Sequence, residues 1–139
     1  MKKFLLVLGL FITTVLPVFA VNWVVINPDE AYYIDTTSIS KYNHRIYGRN
    51  NIYSVWLKNF NNNTSLDLGF GVGFNYNMIW YLIDCDTKET ALKAAVFYDF
   101  KNAPITPKFT LNDYQLQWNA IVPGSVNAVE YNYACGGYR

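Results

Sequence analysis

The chain has 139 residues, of which 52% are hydrophobic, 18% aromatic and 15% charged, and its formal net charge is +1. This length predicts one domain, and the abundance of apolar side chains excludes a disordered chain. The nearly balanced charge argues against nucleic-acid binding, which needs clustered lysine and arginine to displace the counterions of phosphates.

The first twenty residues have the pattern of a secretory signal peptide. Two lysines precede an apolar stretch over residues 4–15, and the small residue Ala20 ends the segment at a cleavage site. The apolar stretch is short for a membrane span, and no second long one follows it. We therefore predict a signal peptide over residues 1–20 and one exported domain over residues 21–139, placed in the periplasm, at the outer-membrane surface or outside the cell.

The two cysteines of the chain, Cys85 and Cys135, favour a disulfide bridge in an oxidising compartment. The single histidine, His44, cannot complete a zinc site with them, and a close Cys-x-x-Cys pair typical of redox proteins is absent from the sequence. A bridge would close a loop of about 50 residues and stabilise the fold by about 4 kcal/mol in the chain-entropy model. We expect neither a metal nor a cofactor.

Taken in chain order, the exported part predicts an antiparallel β-sheet. Segments rich in β-branched and aromatic residues alternate with turn residues, and no long helical pattern lies between them, which argues against a parallel sheet. Residues 90–95 would also tolerate a helix, and residues 35–39 predict a turn held by local side-chain hydrogen bonds. The predicted strands cover residues 21–26, 32–34, 52–60, 75–85, 91–100 and 118–122.

The two longest predicted strands carry apolar residues on both faces, so each face needs a cover. Ser125 is a typical helix N-cap, and Gly136 is a typical stop. Between them, Val126, Val129 and Tyr133 recur at helical spacing. A short C-terminal helix is therefore predicted to cover part of one face, which leaves the other face for curvature, self-association or a ligand.

Three groups contain residue types used in catalysis, but none has the arrangement that catalysis needs. Asp84 and Asp86 share one side of a strand, but the paired carboxylates of hydrolases lie about 5 to 10 Å apart across a cleft, so we interpret the pair as solvated turn caps. Ser125 follows Gly124 but lacks the Gly-x-Ser-x-Gly pattern of a nucleophile elbow. His44 lies in a polar stretch and is expected at the surface rather than in a triad. We expect no catalytic residues and no enzymatic activity.

Two segments are candidates for partner binding. In the first, aromatic rings and positive charges alternate on what we expect to be an exposed hairpin. It is either a solvated turn between strands or a surface that binds an acidic or glycosaminoglycan-bearing partner. This cluster consists of Tyr42, His44, Arg45, Tyr47 and Arg49. In the second, glycines alternate with apolar residues over residues 68–74, which predicts a bent strand or a mobile loop that presents Phe70 and Phe74 to a partner.

Several motifs resemble those of the surface-adhesin protein E family of secreted Gram-negative proteins. They are Trp23, residues 33–39, 55–57, 83–85, 98–99 and 118–126, and Cys135-Gly136. The resemblance covers nearly the whole exported part. It implies an α+β fold, mainly an antiparallel sheet of about six strands, with a short C-terminal helix tied to the sheet by a Cys85–Cys135 disulfide. It also implies homodimers and adhesion to host matrix or serum proteins such as vitronectin, laminin and plasminogen.

The sequence departs from this family in two respects. No cysteine lies near the predicted cleavage site to carry a lipid, and residues 68–74 are unusually rich in glycine and aromatic residues. We predict a secreted, non-enzymatic binding protein that resembles surface adhesin E, with no transmembrane segment in the exported part. The alternative is a periplasmic protein that binds a small apolar ligand on the curved sheet.

Overall fold

The computed structural model describes residues 21–60, 73–105 and 108–136, so the predicted signal peptide lies outside the described residues. Within the described ranges, eight strands form one antiparallel sheet with one α-helix packed against it. The strands are β1 (Trp23–Asn27), β2 (Tyr32–Asp35), β3 (Ser40–Lys41), β4 (Ile52–Phe60), β5 (Tyr76–Asp84), β6 (Glu89–Tyr98), β7 (Phe109–Thr110) and β8 (Asn119–Ala120), and the helix is α1 (Val126–Cys135). Two 3-10 helices, Thr36–Ser38 and Asp113–Gln115, lie in the connections.

Three long strands form the centre of the sheet. β4 pairs with β5 along its whole length, from Ile52 opposite Asp84 to Phe60 opposite Tyr76, and β5 pairs in turn with β6. β2 and then β1 extend the sheet beyond β4, and β7 extends it beyond β6. The two short strands β3 and β8 pair with β4 and β6 respectively. This topology confirms the predicted α+β class and its antiparallel sheet.

Two sequence predictions are refined by the structure. Residues 90–95 form strand rather than helix, because the small side chain of Ala94 fits opposite Trp80 in the ladder. The strand predicted over residues 118–122 is reduced to Asn119–Ala120. Ile121 already packs against the core beneath α1, and this directs the chain away from the sheet.

The ladder between β5 and β6 contains one extra residue. Its register shifts between Trp80 and Tyr81, which leaves Lys93 in a β-bulge. Lys93 is 7% exposed, and its Nζ donates to the carbonyl of Leu111 at 2.7 Å and pairs with Asp113. The bulge thereby connects β6 to the segment that follows β7.

Helix α1 covers one face of the sheet, which we call the helix face. At the centre of the helix face, β2, β4, β5 and α1 contribute side chains to a fully buried aliphatic cluster. The cluster consists of Ile34, Val55, Leu57, Ile83 and Ala134. Most of these side chains are β-branched or γ-branched aliphatics, which pack well on a pleated surface. One of the two faces that the alternation predicts to need a cover is therefore closed by the helix.

The predicted ends of α1 are confirmed. The Ser125 hydroxyl accepts a hydrogen bond from the Ala128 N–H at 3.3 Å, and the Gly136 N–H donates to the Asn132 carbonyl at 2.9 Å. These bonds satisfy backbone groups that a helix leaves unpaired at its termini.

The side of α1 that packs most deeply differs from the predicted one. Glu130 and Ala134 are the buried residues of the helix, whereas Val126, Val129 and Tyr133 are half-buried. The helix contact is therefore centred on a carboxyl group and a methyl group. A small residue at Ala134 allows the helix to approach the strands closely.

The Cys85–Cys135 disulfide is present, with the two Cα atoms 5.6 Å apart. Cys85 directly follows β5, and Cys135 is the last residue of α1, so the bridge fixes the end of the helix to the end of a central strand. The Tyr131 hydroxyl adds a hydrogen bond to the Cys85 carbonyl at 3.2 Å. The predicted connection between helix and sheet is confirmed.

The predicted turn after β2 is held by its own side chains. Asp35 Oδ1 accepts hydrogen bonds from the N–H of Thr37 at 3.0 Å and from its hydroxyl at 2.6 Å. The Ser38 hydroxyl oxygen accepts from the Trp56 N–H at 2.9 Å, which attaches this turn to β4.

The turn after β5 is capped by Asp84, as predicted, but the prediction that Asp84 is solvated is wrong. Its Oδ1 accepts from the N–H groups of Asp86 at 3.0 Å and Thr87 at 3.3 Å. The side chain is fully buried, and its charge is compensated by Arg49, whose Nη1 donates to Asp84 Oδ2 at 2.8 Å. Asp86 is exposed and accepts a hydrogen bond from Asn51 at 3.0 Å.

Candidate binding surface

The face of the sheet opposite α1, here called the outer face, carries aromatic rings stacked across β4, β5 and β6. Trp56 and Trp80 lie opposite each other, with ring centroids 5.7 Å apart and planes inclined by 10°. Tyr76 stacks on Tyr98 at 4.7 Å and packs against Phe60 at 5.5 Å. All five side chains are half-buried, so part of each ring remains accessible to a partner.

Two lysines lie over these rings. Lys58 Nζ is 4.5 Å from the ring centroid of Phe60 and 4.1 Å from that of Tyr76. Lys108 Nζ is 5.6 Å from the centroid of each tryptophan in the stacked pair. Partial burial lowers the pKa of Lys58 from its ordinary value. The outer face is therefore aromatic and cationic, and each ammonium group is attracted by the electron-rich faces of the rings.

The loop between β3 and β4 continues the aromatic row. The Tyr42 ring packs edge-on against Trp80 at 6.2 Å, and His44 stacks on Tyr42 at 5.1 Å. The Tyr42 hydroxyl donates to Asp113 Oδ1 at 2.8 Å. Burial raises the pKa of Asp113, but hydrogen bonds from Lys93 and Tyr42 outweigh it and hold this pKa below its ordinary value. The start of the loop is therefore fixed beside the outer face.

The tip of this loop is exposed, as predicted. Tyr47 is 102% exposed and stands next to Gly48, whose φ of 75° suits a residue without a side chain. The Arg49 N–H donates to the Ile46 carbonyl at 3.1 Å and closes the turn. Arg45 is exposed as well. Together with His44, whose side chain is 74% exposed, these residues present rings and positive charge to solvent.

Arg49 differs from the rest of the cluster because its side chain is directed into the protein. It reaches Asp84 at 2.8 Å and Glu89 at 2.7 Å, and its guanidinium lies 3.9 Å from the ring centroid of Trp118. The hydrogen bond from Arg49 lowers the pKa of Glu89. Burial raises the pKa of Asp84, but the hydrogen bonds that Asp84 accepts from Arg49 and from two backbone N–H groups outweigh burial and lower this pKa. The charge of Arg49 is therefore matched by two carboxylates of the same chain.

Four of the five predicted cluster residues line one small cavity of about 170 Å³. Its lining residues are Tyr42, His44, Arg45, Arg49, Asn50 and Ile52. Tyr47 is not among them. The volume is below the roughly 300 to 1,000 Å³ typical of small-molecule sites, so the cavity suits a single side chain of a partner better than a whole ligand.

The second predicted segment is placed differently from expectation. Phe74 is 6% exposed and packs edge-on against Phe97 at 5.3 Å, so it is a core residue and does not face a partner. Phe70 lies outside the described residues, together with most of residues 68–74.

The sequence did not identify the outer-face residues as a binding surface. Trp56 and Trp80 were assigned to one apolar face of their strands, without the pairing that stacks them. One signal was available: Lys58 shares the face of Trp56 at the strand period of two, and a lysine in an otherwise apolar strand face indicates accessibility. Lys108 joins the face through tertiary structure, which no local pattern encodes.

Within residues 21–60, 73–105 and 108–136, no group of three or more histidine, cysteine or acidic side chains is arranged to hold a metal ion. In the same part of the chain, no helix combines the length and the apolar character needed to cross a membrane.

A sheet closed on one face by a disulfide-bonded helix, and bearing accessible rings and cations on the other, defines a β-rich binding domain. The model of the Surface-adhesin protein E family matches residues 23–136. The chain belongs to this family, which confirms the resemblance found in the sequence.

Solved structures of Haemophilus influenzae protein E share the fold. The selenomethionine form has a TM-score of 0.56 at 12% identity, covering 84% of this chain and 87% of that chain. Crystal form II has a TM-score of 0.53 at 14% identity, covering 78% of this chain and 82% of that chain. A structure of protein E from non-typeable Haemophilus influenzae has a TM-score of 0.55 at 13% identity, covering 84% of this chain and 76% of that chain. A search of curated protein sequences finds no match.

Proposed function

We propose that the protein is an exported, non-enzymatic binding protein that contacts another macromolecule through the outer face and the adjoining loop of residues 42–49. The observation that carries this proposal is the row of stacked, half-buried rings under Lys58 and Lys108, which Tyr42 extends to the exposed loop. Tryptophan, tyrosine and arginine are the residues that dominate binding energy at protein interfaces. The same arrangement offers no nucleophile activated by a neighbouring base.

Export is supported by the signal-peptide pattern of residues 1–20 and by a disulfide, which persists mainly in oxidising compartments. Membership of a surface-adhesin family supports a location beyond the inner membrane.

Protease treatment of intact cells tests surface display. Digestion without lysis would place the protein outside, whereas survival until the outer membrane is opened would place it in the periplasm.

The charge of the surface favours an acidic partner. Lys58, Lys108, Arg45 and His44 surround the rings, and none of them forms an ion pair shorter than 3.8 Å within the described chain. Host matrix or serum proteins fit this requirement, and the family resemblance makes vitronectin, laminin and plasminogen the first partners to examine. The ammonium groups over the rings disfavour the alternative of a small apolar ligand on this face, because such a ligand would desolvate them without compensation.

The partner proposal is tested with a variant that removes charge without disturbing the core. Arg45→Ser combined with Lys108→Ser removes two exposed positive charges. Lys88→Ser combined with Lys101→Ser is the matched control, since both lysines are exposed and lie outside the loop and the ring row. We expect the double variant to bind immobilised vitronectin, laminin or plasminogen about tenfold more weakly at low salt, with a smaller salt dependence. The control should bind as the unmodified protein does.

A second variant, Trp56→Ala with Trp80→Ala, removes the stacked pair and should weaken binding at all salt concentrations. Surface plasmon resonance with the three proteins measures both effects. Binding that is unchanged in both double variants would place the contact elsewhere. No binding of the unmodified protein to any of the three would refute these partners.

We also propose that the outer face mediates homodimer formation when no other partner is bound. Monomeric proteins rarely expose a contiguous aromatic patch of this kind. In a symmetric dimer, the ammonium groups of one copy can lie against the rings of the other, which offsets their desolvation as a small apolar ligand cannot. Light scattering over a concentration series should show a dimer that the Trp56→Ala and Trp80→Ala double variant cannot form. A monomer at every concentration would exclude self-association.

A further inference from the structure

A cleft opens on the helix face beside α1, where two short strands pair with different parts of β6. β7 pairs with Ala94 and Ala95, whereas β8 pairs with Glu89 and Thr90. The connection over residues 111–118 leaves the sheet between them and returns, so neither strand pairs with β6 at its central positions. The resulting cleft has a volume of about 560 Å³, which lies within the roughly 300 to 1,000 Å³ of small-molecule sites.

Four carboxamide side chains converge on this cleft from three parts of the chain. Gln115 lies on the second 3-10 helix, Gln117 and Asn119 lie on the returning connection and β8, and Asn127 lies in the first turn of α1. Among the described residues, the side chains of Gln117 and Asn127 have no hydrogen-bond partner. Each carboxamide offers two donors and one acceptor with two lone pairs. The cleft therefore contains hydrogen-bond donors and acceptors that no other group of the described chain engages.

The other hydrogen-bonding groups of the cleft are partly engaged. Gln115 Oε1 accepts from the Asn112 N–H at 2.9 Å, which fixes the side chain and leaves its NH₂ group available. Asn119 donates to the Gln117 carbonyl at 3.3 Å, which leaves its own oxygen available. These bonds hold two carboxamides in place, so their free atoms are preorganised for a ligand.

The rest of the lining is mostly apolar. It consists of the rings of Tyr81 and Phe109, the side chains of Leu92 and Leu111, and Thr90. Tyr81 is half-buried on the sheet, and Phe109 on β7 is 50% exposed. Each ring offers flat apolar surface beside the carboxamides. Among the described residues that line the cleft, none carries a charged side chain.

We propose that this cleft binds a neutral oligosaccharide. A sugar ring has apolar C–H faces that match an aromatic ring and a rim of hydroxyl groups that both donate and accept, as carboxamides do. The site is separate from the outer face, and the inference does not depend on the partner proposed for that face.

Other ligand classes fit the cleft less well. A sulfated or phosphorylated ligand would lose hydration without meeting a cation, and an apolar ligand would bury the carboxamides unpaired. An extended peptide would find only residues 91–93 of β6 between the two short strands, and the Lys93 carbonyl already accepts from the Leu111 N–H at 2.9 Å. This edge is shorter than the five or six residues that strands most often contain.

The proposal is tested by nuclear magnetic resonance titration of the disulfide-bonded protein labelled with ¹⁵N. The neutral probes are hexasaccharides of glucose, mannose and N-acetylglucosamine, and the comparison probes are a heparin hexasaccharide and the capped peptide acetyl-(Ala-Gln)₃-amide. We expect at least one neutral probe to shift the side-chain amide signals of Gln117 and Asn127. Gln117→Leu combined with Asn127→Leu should weaken that binding at least about tenfold. Asn43→Leu, which replaces an exposed carboxamide outside the cleft, should not change it.

The outcomes separate this proposal from the one for the outer face. The Trp56→Ala and Trp80→Ala double variant should retain saccharide binding, and the cleft variant should retain binding to matrix proteins. The proposal is overturned if no neutral probe binds at millimolar concentration, if the cleft variant binds as tightly as the unmodified protein, or if the heparin or peptide probe binds more tightly than every neutral one. Because both replaced side chains in the cleft variant lie outside the buried core, the spectrum of the unbound variant reports directly whether its fold is intact.

Discussion

The two faces of the sheet are formed by alternate residues of the same strands, yet they differ in chemistry. Leu57 on the helix face is 0% exposed within an aliphatic cluster, whereas its neighbour Trp56 on the outer face is half-buried and stacked on another ring. Aliphatic side chains pack densely under the helix, while rings under ammonium groups remain partly accessible. The comparison shows that alternation defines two faces, and that side-chain chemistry decides which face is closed and which is available for binding.

Among these predictions, removing the disulfide that holds the helix on its face should change the free energy of unfolding most. Replacing both Cys85 and Cys135 with Ser should lower the free energy of unfolding by about 4 kcal/mol, because the bridge spans 50 residues and restricts the unfolded chain. Guanidinium denaturation measures the change. The unmodified protein should lose the same stability on reduction, while the double variant should be insensitive to reductant. A loss well below about 1 kcal/mol would show that the helix face is closed by packing alone.

The next largest change in stability is expected from substitutions of two adjacent residues that lie on opposite faces. Leu57→Ala should lower the free energy of unfolding by about 3 kcal/mol, since it leaves a cavity in the aliphatic cluster. Trp56→Ala should cost less stability, despite the larger side chain removed, because that ring is already partly hydrated. The same two variants in the binding assay should show the reverse order. Equal losses of stability would contradict the distinction between the faces.

The last effect, which is the smallest when taken per pH unit, concerns the buried carboxyl of the helix face. Glu130 is 0% exposed, and neither carboxyl oxygen has a hydrogen-bond partner in the described chain. Burial raises the pKa of Glu130 to about 8. The folded protein therefore binds a proton that the unfolded chain, with a carboxyl pKa near 4.5, has released.

The sign of the pH effect follows from that proton. The stability contributed by protonated Glu130 is complete below about pH 4.5 and is lost as pH rises to about 8, at about 1.4 kcal/mol per pH unit. The facing groups Tyr32 and Tyr81 have raised pKa values, mainly through burial, so they stay neutral in this range. Glu130→Gln should flatten the dependence of the unfolding free energy on pH, and Glu30→Gln at an exposed position should not. Parallel curves for all three proteins would contradict the assignment.

Much of the fold was predictable because it depends on local patterns. The period of two identifies β4 and β5, the N-cap at Ser125 locates the helix, and two cysteines in a chain predicted to be exported indicate one disulfide. The burial of Phe74 is not predictable from the sequence, since its contact with Phe97 depends on the antiparallel register of β5 and β6. The inward direction of Arg49 likewise depends on Asp84 and Glu89, which reach it only through the pairing of β4, β5 and β6.

The candidate sites were less predictable than the fold. The exposed loop was recognised because charge and rings are adjacent in the sequence, whereas the outer face requires the register of three strands. The carboxamide cleft is harder still to predict, because residues 115, 117, 119 and 127 come together only where the connection between β7 and β8 leaves the sheet. Single glutamines and asparagines carry no signal of such convergence in the sequence.

The bulge at Lys93 has a consequence for insertions and deletions in this strand. On either side of it, Leu92 already lies opposite Tyr81 and Ala94 opposite Trp80. A chain lacking Lys93 would therefore keep the pairing of β5 with β6, but it would lose the ammonium group that holds Asp113 and the carbonyl that accepts from the Leu111 N–H at 2.9 Å. Strand length can thus change by one residue here without exchanging the inward and outward side chains of β6, while the segment after β7 would be released from the sheet.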